Sequence, residues 1–152
     1  MRERLRKVPG ADAWLGYESD LDVRYAHKLM FGKSTSEVQG HFGGVMSIER
    51  ADELLFMPRR AFQYYVFAFA EFVLSDGATG DADSASPFLR LLVNREKRDP
   101  CSVAQIYEDL VSVVDHVASN QIRYEADENI YGNFRELAVE LKTLCGARFE
   151  GT

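Results

Sequence analysis

Residues 48–74 read IERADELLFMPRRAFQYYVFAFAEFVL, and the second half of this stretch decides the fold. From Ala61 to Leu74 almost every position is apolar, with Gln63 and Glu71 as the exceptions. Phe62, Tyr65, Val66, Phe69, Phe72 and Val73 recur at three- and four-residue steps, which places them on one face of a helix. Tyr64, Phe67, Ala68 and Ala70 fill the other sides, and a helix apolar all round is one buried on most of its surface. Phe67 and Phe69 also fit a strand's alternation, but three alanines and a glutamate in the same run are poor strand residues. The run falls short of the ~20 apolar residues that a bilayer span needs, and it follows Arg59 and Arg60. The spacing therefore predicts an all-α protein, a single domain of six or seven helices around a central aromatic helix over Pro58–Leu74.

Upstream, Met57 precedes a proline and is held out of helical geometry. A helix over Ile48–Phe56, capped by Ser47, should end there. Its charged residues Glu49, Arg50, Asp52 and Glu53 read as a solvated face opposite Ala51, Leu54 and Leu55. Ser34 and Glu37 form an S-x-x-E capping box for a short helix, with Val38 and Phe42 facing inward. Before it, Ser19 or Asp20 can cap a helix over Leu21–Phe31 whose inner face is Leu21, Tyr25, Leu29 and Met30, and Gly32 suits a left-handed stop. Residues 1–16 read as a basic arm, with Pro9-Gly10 as a break and Trp14 and Leu15 as its anchors.

Downstream, residues 75–86 (SDGATGDADSAS) hold nothing apolar larger than alanine and read as a mobile loop. Ser86-Pro87 then opens a helix to about Lys97. Asp99-Pro100 opens another, from Pro100 to about Ser119, striped by Val103, Ile106, Leu110, Val113, Val114 and Val117. Ile130, Phe134, Leu137, Leu141 and Leu144 are spaced four, three, four, three, the pattern of a helix seam. Asn133 and Glu136 offer a competing start at Phe134, and Gly146 an end. Main body and loop together are expected to occupy residues 17–148.

Composition narrows the function. The 152 residues carry a net charge of −6, although residues 1–7 (MRERLRK) are basic. An acidic body disfavours a phosphate backbone and suits a basic protein partner. Nucleic acid and membrane are not expected as partners. Cys101 and Cys145 are far apart, with no paired-cysteine or cysteine–histidine ligand spacing, so neither a metal nor another cofactor is expected. No apolar leader follows the basic start, and a reducing cytoplasm is the expected compartment.

Catalytic signatures are sparse. Gly32-Lys33-Ser34 matches the end of a phosphate-binding loop, but position 27, where the first glycine belongs, is histidine. His27, His41 and His116 belong to no paired-ligand motif. Cys101 falls in the expected first turn of a helix, where the dipole lowers a thiol's pKa, yet no neighbouring histidine serves as its base. The stretch best suited to recognition is Tyr124, Glu125, Asp127, Glu128 and Tyr131: tyrosine is enriched at interface hot spots, and the acids meet a basic partner. Asp76, Asp81 and Asp83 of the acidic loop add to the same potential.

SIERADELLFMPRRAFQYYVFAF (residues 47–69), preceded by YAHKLMFGK (residues 25–33), resembles small bacterial proteins that serve as immunity partners of secreted toxins. The resemblance implies a non-enzymatic protein that binds and blocks a toxin domain. It transfers no role to any individual residue. Two other expectations stand beside it: an enzyme or ligand-binding domain with a pocket against the aromatic helix, in which His27, His41, His116 and Cys101 converge, and a homodimer joined through Ile130–Leu144.

Overall fold

The computed structural model describes residues 7–150. The basic residues Arg2, Arg4 and Arg6 lie outside them. Among the described residues eight α-helices follow one another: α1 (Leu21–Met30), α2 (Thr35–Val38), α3 (Ser47–Phe56), α4 (Arg59–Leu74), α5 (Ala82–Arg98), α6 (Tyr107–Ser119), α7 (Glu128–Tyr131) and α8 (Phe134–Glu150). Short 3-10 turns join them, and there is no strand among the described residues. Two of the eight, α2 and α7, are single turns; the short α2 is among the helices that the sequence predicts, and the separate turn α7 brings the number to one more than the six or seven expected.

The aromatic helix α4 is the axis. Phe62, Tyr65, Val66, Phe69 and Val73 have no solvent exposure, and Tyr64, Phe67, Ala68 and Ala70 are also buried. Phe69 touches Phe42 on one side and Phe88 on the other, with ring centroids 5.2 and 5.3 Å apart. That chain of tilted rings links the 3-10 turn Gln39–Phe42, α4 and α5 through one core. Around α4, helix α3 packs on α5, α5 on α8, α8 on α6, and α6 back on α4. The stripe of Val103, Ile106, Leu110, Val113, Val114 and Val117 is buried as read.

Polar tethers hold the N-terminal third to the same axis. The Ser34–Glu37 capping box forms in full. Gly32 has the left-handed φ of +78° that stops α1. The Lys33-Ser34 pair of the apparent phosphate loop therefore separates a helix stop from a helix start. The Tyr65 hydroxyl lies 2.8 Å from the carbonyls of both Met30 and Lys33 and donates to either. Thr35 Oγ1 donates to Glu71 at 2.9 Å. Trp14 is fully buried against Tyr65, whereas Leu15 is exposed and anchors nothing.

Several expectations are corrected. Helix α1 buries Val23, Ala26 and Met30 rather than Leu21 and Tyr25. Both stripes have helical spacing; the one with the small Ala26 lets α1 approach its neighbours closely. Asp20, not Ser19, is the cap, accepting from the N–H groups of Asp22 and Val23. Ser47 does not cap α3; it is the first helical residue, and its hydroxyl donates to the Phe42 carbonyl at 2.6 Å. Pro58 is the residue just before α4 rather than its first turn.

The loop at residues 75–86 is half helix. A 3-10 turn forms at Asp76–Ala78 and α5 begins at Ala82, so Pro87 falls inside it. The small residues Ala82, Ser84, Ala85 and Ser86 are buried. What reads as loop composition is a helical turn trimmed for close packing, at the cost of one backbone hydrogen bond at the proline. Helix α8 starts at Phe134, where Asn133 Oδ1 accepts from the Glu136 N–H at 3.1 Å. Ile130 belongs to α7 and is 73% exposed. Gly146 does not end α8, which continues to Glu150. Phe134 and Leu141 are spent in the chain's own core rather than offered to a second copy.

The largest departure concerns charge. Arg50 and Glu53 are buried, not solvated, and pair with each other at 2.7 Å on α3. Arg95 is buried too. Its guanidinium donates to the carbonyls of Leu54, Leu55 and Met57, closing the C-terminal end of α3 where the helix leaves acceptors unpaired. It also bonds Asp99, which Arg59 grips from the other side.

Candidate functional site

The acid–tyrosine stretch after α6 is not a slack connector. Tight turns set its path: the Arg123 N–H donates to the Asn120 carbonyl, and the Glu125 N–H to that of Ile122. Glu125 adopts a left-handed φ of 54°, a strained conformation for a residue with a side chain. Gln121 clasps the loop shut. Its amide donates to the carbonyls of Ala126 and Gly132, and its oxygen accepts from the Phe134 N–H at 2.9 Å.

The other anchor is Tyr124. Its ring is fully buried and its hydroxyl donates to the Val73 carbonyl, near the end of α4, at 2.6 Å. Nearby, Arg123 donates to the Ser75 carbonyl and its own carbonyl accepts from the Gly80 N–H at 2.8 Å. Gly80 sits at φ +78°, and a methyl group there would stand 2.5 Å from the Glu125 carboxylate. The positive φ favours glycine here, while the Glu125 carboxylate, at the end of an exposed side chain, could swing aside. The structure thus brings the segments 76–83 and 121–131 together.

The result is an acidic ridge. Asp76, Asp83, Glu125, Asp127 and Glu128 are exposed along it. Asp127 caps α7 by accepting from the Asn129 N–H, and Glu128 accepts from the Asn133 amide. Asp81 is held more deeply, accepting from the Gly44 N–H at 2.8 Å. Tyr131 stands at the rim, and its hydroxyl donates to Asp83 at 3.0 Å. That bond to a carboxylate, with the negative charge of Asp81 nearby, holds the phenol above its usual range. Arg90 braces the rim by donating to the Tyr131 carbonyl.

Of the five residues that sequence singles out, Glu125, Asp127, Glu128 and Tyr131 lie on this ridge. Tyr124 lies beneath it as its root. Tyr124→Phe should keep the packing and remove one buried hydrogen bond, leaving the Val73 carbonyl unsatisfied, at about 1–2 kcal/mol. Urea denaturation is the check; a Tyr124→Phe midpoint equal to that of the wild type would show that the hydroxyl anchors nothing.

The histidines and Cys101 do not share a site. His27 is stacked on Tyr17 at 3.8 Å, with Trp14 and Phe31 against its other sides. His41 is exposed on its 3-10 turn. His116 Nε2 lies 3.3 Å from Arg123. Cys101 precedes the 3-10 turn at Ala104 and is not in the first turn of a helix as expected. It has a left-handed φ of 79°, and its N–H donates to Glu96. No group of three His, Cys, Asp or Glu side chains able to hold a metal occurs among the described residues. No helix among them is long and apolar enough to cross a membrane.

Sequence reasoning did not find Gln121 and Gly80, the two residues that shape the ridge. A glutamine after a helix and a glycine in a polar loop carry no distinguishing pattern. Comparison with protein-family models, with curated proteins and with solved structures found no match to this chain.

Proposed function

We propose that this chain is a non-enzymatic protein-binding module whose partner presents a basic surface, acting as an immunity protein that neutralises a toxin. One observation carries the reading: two acidic segments distant in sequence are pinned side by side by the Gly80–Arg123 backbone hydrogen bond and by bonds from the Arg123, Tyr124 and Tyr131 side chains, so that five carboxylates share one exposed ridge with Tyr131 at its rim. Pre-ordered backbone lowers the entropy cost of binding. Clustered like charge steers a basic partner and suppresses acidic ones. The toxin–immunity assignment itself rests on the resemblance of residues 25–33 and 47–69, and a cytoplasmic location accompanies it.

The test is direct. The purified chain is titrated calorimetrically with basic proteins encoded beside its gene. Tight binding is expected, weakening steeply from about 50 to about 300 mM salt as exposed charges are screened. Reversal of Glu125, Asp127 and Glu128 to lysine should weaken it roughly tenfold or more. Absence of binding to every such neighbour, or binding indifferent to salt and to these reversals, would remove the basis of the proposal.

A second reading has its own observation. A cleft of about 430 Å³ lies against α4, lined by Val8, Pro9, Ala13, Arg60, Gln63 and Tyr64 among others. It has the size and mixed lining of a small-molecule site. The alternative of a ligand-binding domain or small enzyme therefore belongs here, beside the aromatic helix, and not with the histidines or Cys101, none of which lines it.

A further inference from the structure

Helix α3 has an outer surface flanked by two clefts. One, of about 310 Å³, lies toward α1 and is lined by Asp22, Tyr25, Glu49, Asp52 and Glu53. The other, of about 280 Å³, lies toward α5, where Ile48, Ala51, Leu55, Pro87 and Leu91 make an apolar wall. Asp52 lines both, so the acidic and apolar clefts meet across one turn of α3. Large apolar side chains stand out beside them: Ile48 is 55% exposed, Tyr25 52% and Leu21 77%.

Charge on this face is unbalanced. Four carboxylates line the acidic cleft, with Arg50 as the guanidinium paired there; Arg90 lines the apolar cleft, where it is held by Ser86 and the Tyr131 carbonyl. Arg50 is committed to Glu53 at 2.7 Å, reaches Glu49 only at 3.8 Å, and stacks 5.2 Å over the Tyr25 ring. Among the described residues, no cation is paired with Asp22 or Asp52. Burial, together with repulsion from Asp22 and Glu49, pushes the Asp52 carboxyl up from its ordinary value. A cation placed in the cleft relieves that repulsion.

We infer that the α1–α3–α5 face docks a basic amphipathic segment of a partner protein, with a lysine or arginine in the cleft of Asp22, Glu49 and Asp52 and a bulky apolar side chain in the groove of Ile48, Leu55 and Leu91. Charge complementarity selects this occupant. A second copy of the chain, itself at −6, would bring like charge to an acidic rim. The inference rests on the protein-binding reading but uses none of the ridge acids, so the two are tested by separate substitutions.

The probe is a fluorescein-labelled helical peptide with leucine at three- and four-residue steps and lysine elsewhere; oligolysine of equal charge is the control. Anisotropy should show the peptide binding at least roughly tenfold more tightly than oligolysine, because only the peptide fills the apolar groove. Asp52→Lys and Ile48→Ser should each weaken it roughly tenfold, while Glu125→Lys and Asp127→Lys leave it within about twofold. Ile48 is exposed, so Ile48→Ser keeps the fold and decides the matter should Asp52→Lys fail to fold. No binding of the peptide, equal binding of oligolysine, or equal loss on reversing the ridge acids overturns the inference. So does concentration-dependent dimerisation in sedimentation that Ile48→Ser abolishes, which would assign the face to a second copy. Loss of toxin-type binding with the ridge variants, and intact peptide binding, would separate the two faces.

Discussion

Glu96→Ala is expected to be the most damaging single substitution, lowering stability by about 4 kcal/mol or more. Glu96 is fully buried at the end of α5. Its carboxylate accepts three backbone N–H groups at once: Cys101 at 2.7 Å, and Val103 and Ala104 at 2.9 Å each. Hydrogen bonds to a charged acceptor contribute about 1.5–3 kcal/mol each, and buried donors left unpaired cost their full desolvation. No water replaces the carboxylate without opening the core around Val103 and Ala104. The chain already accepts strain to make this cap. Cys101 takes a positive φ in the turn Asp99–Ser102, where Pro100 fills the second position and glycine would be the usual third. Thermal unfolding should show a drop of roughly 8–16 °C, at about 2–4 °C per kcal/mol for a domain of this size. Glu96→Gln should fall between, since its oxygen can still serve Val103 and Ala104 while its NH₂ faces the Cys101 N–H. A melting temperature for Glu96→Ala within about 3 °C of wild type would refute the cap's importance.

The second large effect depends on pH. Arg50→Met removes the cation paired with buried Glu53, and breaking one partner of a buried pair costs about 3–5 kcal/mol. Burial, and to a lesser degree the charges of Asp22 and Glu49, push the Glu53 carboxyl up to about 7, against the lowering pull of Arg50. A carboxyl raised in the folded state keeps its proton where the unfolded chain has lost it. Between pH 4.5 and about 7, unfolding therefore releases a proton, and this group makes stability fall as pH rises. Without Arg50 the folded-state value climbs further, and the decline extends above pH 7. Arg50→Met should thus be mild near pH 5, where Glu53 is neutral, and severe near pH 8.5. Urea denaturation of both proteins at the two pH values measures this. Equal losses at both would mean that Glu53 keeps its charge throughout. Arg50→Met combined with Glu53→Leu should recover most of the loss, because no lone charge is then left inside.

These two nodes also explain what sequence could and could not convey. Helix α4 was legible because its apolar residues outnumber any alternative, and the end of α3 because Met57 precedes a proline. The Ser34–Glu37 box is a local rule, satisfied within three residues. Glu96, in contrast, caps backbone groups five to eight residues away across a turn, a geometry with no short pattern. Arg50 and Glu53 read as surface because each alone would be; their burial depends on finding each other three residues apart and on α1 closing over them. In α1 the stripes 21/25/29 and 23/26/30 are equally periodic, so only the neighbouring elements decide between them. The acidic ridge was half legible. Its residues announce themselves by composition, but their convergence depends on the Tyr124 hydroxyl reaching Val73 and on Gly80 passing under Glu125.

Trp14 is the chain's only tryptophan, and it lies fully shielded between Tyr65 and the edge of the His27 ring. Its indole emission is therefore a built-in spectroscopic gauge. Folded protein should emit at short wavelength, and a red shift would mark release of the segment around Pro9–Leu15 from α4. Because the His27 ring packs against the indole at 5.2 Å, the same wavelength reports the seating of this segment on α1 as well as on α4.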